Sequence, residues 1–237
     1  MTLVTACIYC IKVLTLALKR QWGAILIIGV VSQKGGVCKS TIVRLLSREY
    51  SDNDWNVKIA DMDSKQGTCT RWNMTRNDSK IEPVVKTEQY RSVKDAIGDY
   101  QKNNIDLMIF DGAPSSSTLT LQIARESNLV ILPTGISVDD LEPTVKLAHE
   151  LIKHNIERNH IIIVFCRVGD STVELSEAKQ YIEQSGFKVI KAVLPDRVAY
   201  RRAQDIGKSV SETNYKTLNQ KASNIVQELV NLINKLK

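Results

Sequence analysis

Aromatic side chains are scarce, at 5% of the 237 residues. So few rings disfavour a broad base-stacking platform for single-stranded nucleic acid. Proline and glycine are also sparse, with 5 Pro and 11 Gly, which excludes a collagen-like or linker-dominated chain. The cysteines are odd in number and irregularly spaced: Cys7, Cys10, Cys38, Cys69 and Cys166. Such a set does not read as a secreted disulfide framework. Cys7 and Cys10 form one C-x-x-C, but no second Cys or His pair stands at zinc spacing. His149 and His154 are five residues apart and do not share a helix face; with His160 they read as surface residues. An uninterrupted run of ~20 apolar residues is missing, which argues against a membrane-spanning helix. Charge of one sign is also limited. The net charge is +6, which permits a polyanionic partner without demanding one.

What is present is an ordinary globular composition, 43% hydrophobic and 24% charged. A chain of this size buries a core without a disulfide or metal staple. Residues 1–24 read as an N-terminal extension of open role. Leu3, Val4, Ile8 and Ile11 begin an apolar stretch with the spacing of a short amphipathic helix. Lys12 interrupts that stretch, and Lys19 and Arg20 follow it, whereas a signal peptide carries its positive charge first.

From Ile25 onward strands and helices alternate, and residues 25–237 read as one domain. Wholly apolar runs at 25–31 and 161–166, and a strand at 105–110 whose residues 107–110 are apolar, have the character of buried parallel strands. Further strands are expected at 57–60, 129–132 and 188–193. Helical spacing occurs at 39–50, 92–100, 119–126, 140–154, 173–185, 197–205 and 218–236. Repeated βα units imply a single α/β domain, a mostly parallel twisted sheet with helices on both faces. Ligands on such a sheet bind beyond the carboxyl ends of its strands.

The strongest chemical signal follows the first strand: Gln33-Lys34-Gly35-Gly36-Val37-Cys38-Lys39-Ser40-Thr41. A strand, a glycine turn and a helix N-terminus together form an anion site. Backbone N–H groups point into the turn and the helix end adds partial positive charge. Lys39 can reach the β- and γ-phosphates of a nucleotide, and Ser40 is placed to ligate Mg²⁺. The match to G-x-x-x-x-G-K-[ST] is imperfect, because Cys38 stands where the second glycine is expected. Asp61 and Asp63 follow the strand at 57–60, and Asp111 follows the one at 105–110. A carboxylate at a strand end can hold Mg²⁺ through water, and a second can orient the attacking water.

These residues resemble the ParA/MinD family of deviant-Walker P-loop ATPases. Lys34-Gly35-Gly36-Val37-Cys38-Lys39-Ser40-Thr41 is similar to that family's K-G-G-x-G-K-[ST]-T. Asp61-Met62-Asp63-Ser64-Lys65-Gln66-Gly67 resembles D-x-D-P-Q-G, with the proline lost. The stretch from Pro133 to Asp140-Leu141 resembles the segment that helps form the family's nucleotide-sandwich dimer. Pro195 to Ala203 and Gly207 to Glu212 are similar to the C-terminal signature of small partition and positioning ATPases, of plasmid ParA or carboxysome-positioning McdA-like type.

The resemblance implies ATP and Mg²⁺ as cofactors and slow hydrolysis. Lys34 would reach the nucleotide of a partner subunit, and Lys39 would bind phosphate in its own. Asp63 would activate water. Ser40, Asp61 and Asp111 would hold the Mg²⁺ shell, and Pro195 and Arg197 would lie near the adenine. It also implies an ATP-dependent homodimer, nonspecific DNA binding and a cargo-bound ParB-like or McdB-like adaptor, in the cytoplasm on the nucleoid. Basic residues outnumber acidic ones over 196–237, and Arg201, Arg202 and Lys216 are the DNA candidates. The alternative is a MinD-like membrane switch, cued by the C-terminal stripe Ile225, Leu229, Leu232, Ile233 and Leu236. The packing of that helix on its own domain is the favoured reading of the stripe, so no stable membrane association is expected. Lys34 and the D-x-D motif argue against a third reading, a metabolic enzyme of the dethiobiotin-synthetase type.

Overall fold

The computed structural model describes residues 26–114 and 117–236. The expected helix within residues 1–24, with Cys7 and Cys10, lies outside them. The strands are β1 (Leu26–Val30), β2 (Val57–Asp61), β3 (Lys86–Gln89), β4 (Leu107–Asp111), β5 (Leu129–Thr134), β6 (Ile161–Val168), β7 (Lys188–Val189) and β8 (Leu194–Pro195). The helices are α1 (Lys39–Ser51), α2 (Thr68–Asp78), α3 (Val93–Lys102), α4 (Ser117–Glu126), α5 (Val138–Lys153), α6 (Thr172–Gln184), α7 (Val198–Asp205) and α8 (Lys216–Ile233), with a 3₁₀ turn at Arg158–His160.

All strand pairs are parallel, in the order β3-β2-β4-β1-β5-β6-β7, with β8 alongside β6. The central strands are buried along their whole length because helices cover both faces. Alternation sorts their side chains between two cores. Leu26, Ile28 and Val30 of β1 join Ile162, Val164 and Cys166 of β6 under α1 and α8. Ile27 of β1 and Ile161, Ile163 and Phe165 of β6 turn to α3, α4, α5 and α6. The terminal helix α8 buries Ile225, Leu229 and Ile233 completely. Three residues of the apolar stripe that cued the membrane alternative are therefore core, and Leu232 and Leu236 pack partly buried against them.

One expectation about the fold is corrected and two elements escaped it. Of the strand expected at 188–193 only Lys188–Val189, β7, is strand, and β8 follows at Leu194–Pro195. Between them the Lys191 and Ala192 N–H groups donate to the Glu228 carboxylate of α8, at 2.7 and 2.9 Å, instead of to a neighbouring strand. Helix α2 was not anticipated. Its buried face is Cys69, Trp72, Asn73 and Arg76, at helical spacing but half polar, so no apolar stripe marks it. Strand β3 was also missed, because it is a polar, largely exposed edge strand.

Parallel order brings the chemistry to one edge. Val30 is the register partner of Asp111, and Asp111 is the partner of Asp61. The phosphate loop thus leaves the central strand beside two carboxylates at strand carboxyl ends. Helices α1 and α2 begin there.

Candidate functional site

A cleft of about 260 Å³ opens at this edge. Gly35, Gly36, Cys38, Lys39, Ser40 and Thr41 form one wall, and Asp63, Gln66, Asp111 and Gly112 stand across from them. The loop is held from behind, where the Lys34 N–H donates to Ser32 Oγ at 3.1 Å. Gly36 has φ +72°, and a Cβ there would meet nothing within 4 Å. Its glycine is required by backbone angle and not by crowding. Cys38 also sits in the left-handed region, at φ 70° and ψ 23°, as the residue that caps α1. Val37 is buried beneath the loop.

Lys39 is 8% exposed and its Nζ donates to the Lys34 carbonyl at 3.1 Å. Burial pushes its ammonium pKa down, while Asp111 and Asp63 pull it back up. A phosphate entering the cleft would meet a largely desolvated cation, where charge-assisted bonding is strong.

Asp111 is fully desolvated. Burial pushes its carboxyl up to about 6, against hydrogen bonds from Ser40 and Cys69. Cys69 Sγ donates to its Oδ2 at 3.1 Å, while Oδ1 is buried with no hydrogen-bond partner. An orphaned carboxylate oxygen beside the Ser40 hydroxyl fits a hard cation. Ser40 and Asp111 are the residues that would hold Mg²⁺. Mg²⁺ bound with the nucleotide supplies charge neutralisation at the phosphate oxygens. No group of three or more His, Cys, Asp or Glu among the described residues forms a metal cage by itself.

Asp61, expected in the Mg²⁺ shell, is engaged elsewhere. Its Oδ1 accepts the Asp63 N–H at 3.2 Å, and its Oδ2 accepts the Thr70 N–H and hydroxyl at 3.0 and 2.9 Å. It ties the loop that carries Asp63 to the first turn of α2, and it does not line the cleft. Asp63 is fixed from the other side, because its Oδ1 accepts the Lys65 and Gln66 N–H groups at 3.2 and 3.0 Å.

Lys34 points away from its own phosphate loop. Its Nζ lies 2.5 Å from Asp140 Oδ1 and 3.0 Å from the Asp139 carbonyl, at the start of α5. Burial pushes the Asp140 carboxyl up, but hydrogen bonds from Lys34 and Ser137 outweigh it and leave it below the ordinary range. The Lys34 side chain remains 41% exposed at the rim.

Pro195 is buried in β8, and the next residue's N–H donates to the Val168 carbonyl at 2.9 Å. Arg197 pairs with Asp170 on the surface. Neither residue lines the phosphate cleft. Arg201 and Arg202 lie on the exposed face of α7, and Lys216 opens α8. Arg201 is partly neutralised by Asp196, 2.5 Å away. His149 and His154 are exposed and His160 is intermediate.

Sequence reasoning missed Arg44, although Ser40 and Arg44 are four apart on α1 and share a face. Arg44 lines the cleft, donates to the Thr68 carbonyl at 2.7 Å and to Gln204 Oε1 at 3.0 Å, and lies over the Trp72 ring. It joins α1, α2 and α7 at the wall of the cleft.

The position of Cys38 yields a prediction. A left-handed residue other than glycine is strained by about 1–2 kcal/mol, and its side chain narrows the approach to phosphate. Cys38→Gly is expected to raise ATP affinity or turnover a few-fold, read by calorimetric titration and phosphate release. Unchanged or lower values of both would mean the loop is adapted to cysteine.

A family model for the CobQ/CobB/MinD/ParA nucleotide binding domain matches residues 28–210. Comparison with curated protein sequences gives no match. Solved structures do match. An ATP complex of McdA from Cyanothece is 15% identical with TM-score 0.64, covering 86% of this chain and 96% of that one. MinD from Pyrococcus horikoshii OT3 with Mg-ADP is 18% identical with TM-score 0.62, over 88% and 98%. A putative plasmid partition protein from Borrelia burgdorferi B31 with AMPPNP is 16% identical with TM-score 0.65, over 86% and 99%. With its lysine-bearing phosphate loop, the orphaned carboxylate beside Ser40 and a family match across most of its length, this chain belongs to the CobQ/CobB/MinD/ParA nucleotide-binding family, whose ParA/MinD members are ATPases.

Proposed function

We propose that the chain is an ATP-operated positioning switch. ATP joins two copies, the dimer holds nucleoid DNA without sequence preference, and a cargo-bound ParB-like or McdB-like adaptor triggers hydrolysis. The cargo is a plasmid or a protein body such as a carboxysome.

The observation that carries this reading is Lys34. Lys39 already supplies the cation inside the cleft, and Lys34 stands at the rim, tied to Asp140 and half-exposed. A symmetric interface that brings two clefts face to face would give each Lys34 a phosphate to neutralise on the other copy. In that arrangement Asp63 orients the attacking water and Ser40 and Asp111 hold the cation. The packing of the C-terminal stripe supports a DNA surface over a lipid one, since Ile225, Leu229 and Ile233 are fully buried and Leu232 and Leu236 pack partly buried on the same core. Among the described residues no helix is long and apolar enough to cross a membrane.

The test is a mobility assay with random-sequence duplex and Asp63→Ala protein, which retains ATP. Binding is expected only with ATP and is expected to fall steeply with salt through counterion release. Arg201→Ala/Arg202→Ala/Lys216→Ala should weaken it and flatten the salt dependence by about one unit of slope for each phosphate no longer neutralised. Absence of ATP-dependent binding at low salt would refute the DNA role. Undiminished binding by the triple variant would refute its location.

A further inference from the structure

Three consecutive residues in the first turn of α2 each hold a different part of the phosphate site. The Thr68 carbonyl accepts the Arg44 guanidinium of α1 at 2.7 Å. The Thr70 N–H and hydroxyl donate to Asp61 at the end of β2, at 3.0 and 2.9 Å. Between them the Cys69 thiol donates to Asp111 Oδ2 at the end of β4, at 3.1 Å. Asp61 and Asp111 are register partners on adjacent strands, so one helical turn laid across the strand ends reaches both. Cys69 is 0% exposed and Asp111 3% exposed. An ionised carboxylate can only accept, so the sulfur is the donor. The other Asp111 oxygen, Oδ1, is buried with no hydrogen-bond partner, although Asp111 lines the same cleft as Lys39 and Ser40.

We propose that Cys69 is a positioning residue of this site: its thiol hydrogen bond fixes the Asp111 carboxylate with Oδ1 left free for the cation that Ser40 and Asp111 would hold. A carboxylate at a strand end turns about its Cβ–Cγ bond. Tying Oδ2 to α2 stops that rotation and so places Oδ1 without occupying it. Partners that orient a metal ligand in this way are worth about 10–100-fold in metal affinity.

The role separates the cation from the nucleotide. The phosphates would be met by the loop N–H groups and by Lys39, whose Nζ is placed by the Lys34 carbonyl and not by Cys69. Cys69 Sγ lies 3.8 Å from the Ser40 carbonyl, a long contact for a donor already engaged with Asp111. Loss of the thiol should therefore change how much Mg²⁺ the site needs and leave the Mg²⁺-free affinity for nucleotide alone. The inference rests on nucleotide and cation binding at this loop and is independent of dimerisation, DNA or cargo.

The experiment uses the full chain and a fluorescent ADP analogue, with Mg²⁺ titrated into the mixture and affinity also measured in excess EDTA. Cys69→Ala is expected to raise the Mg²⁺ concentration at half-effect about tenfold, while its affinity in EDTA stays within about twofold of the parent. Cys69→Ser keeps a donor and should return the Mg²⁺ requirement toward that of the parent. A second readout does not depend on the alanine variant folding well. The infrared S–H stretch in the difference between parent and Cys69→Ser should lie at the lower frequency of a bonded thiol. It should move upward when Mg-ADP binds, as the cation draws on the Asp111 charge. An unchanged Mg²⁺ requirement in Cys69→Ala, equal losses in the alanine and serine variants, or an S–H band at the frequency of a free thiol overturns the positioning role alone. Equal loss of affinity with and without Mg²⁺ in Cys69→Ala makes the residue structural and also overturns it. A parent protein whose affinity ignores Mg²⁺ overturns the cation site and the inference with it. One that binds no nucleotide at all overturns the family's activity here as well.

Discussion

Asp63→Ala is expected to keep ATP bound and to lose turnover by about 10²–10⁴, the range a positioned base contributes. The variant leaves the phosphate-binding groups in place. Lys39, Ser40 and Asp111 belong to the loop, α1 and β4, and none of them hydrogen-bonds to the Asp63 side chain. What is lost is the carboxylate that faces Lys39 across the cleft. The main chain around Asp63 stays fixed, because Asp61 still accepts its N–H and its own carbonyl still accepts the Gly67 N–H at 2.7 Å. Steady-state phosphate release and equilibrium binding of a fluorescent ATP analogue separate the two effects. Equal rates for parent and variant would remove Asp63 from the chemistry.

The largest stability effect is expected at Glu212. Its carboxylate receives the Arg76 guanidinium at 2.7 and 3.0 Å and accepts the Ser209 N–H at 2.6 Å. Arg76 is 0% exposed and also donates to the carbonyls of Glu82, Pro83 and Gly207, while its guanidinium lies over the Trp72 ring. Glycine is demanded at 207, where φ is +79° and a Cβ would stand 2.6 Å from the Arg76 backbone nitrogen. Glu212→Ala strands a buried cation and should cost about 3–5 kcal/mol. At roughly 2–4 °C per kcal/mol for a chain of this size, the melting temperature falls by about 6–20 °C. Arg76→Met with Glu212→Leu removes both charges and should recover a large part of that loss. A Glu212→Ala melting temperature within about 2 °C of the parent would show that the pair does not fasten α2 to the segment before α8.

This network also explains what could be read from the sequence. The central strands, α1 and the phosphate loop were legible because their signals are local: apolar runs, glycines, and a lysine at the helix start. Asp111 was legible because it ends an apolar strand. Helix α2 was not, since Arg76 and Asn73 take the places where a sequence pattern expects Leu or Val, and their burial depends on partners more than 130 residues away in the case of Glu212. The division of the last strand depends on Glu228, a residue of the terminal helix. In the site, Asp61 looked like Asp63 on paper. Only its bonds to Thr70 separate a loop anchor from a cleft residue.

Lys34 bears the central claim, and sizing by light scattering tests it directly. Asp63→Ala protein should be monomeric without nucleotide and dimeric with Mg-ATP, and adding Lys34→Ala should hold it monomeric at the same ATP occupancy. A dimer that forms without Lys34, or an ATP-loaded protein that never dimerises, would contradict the account.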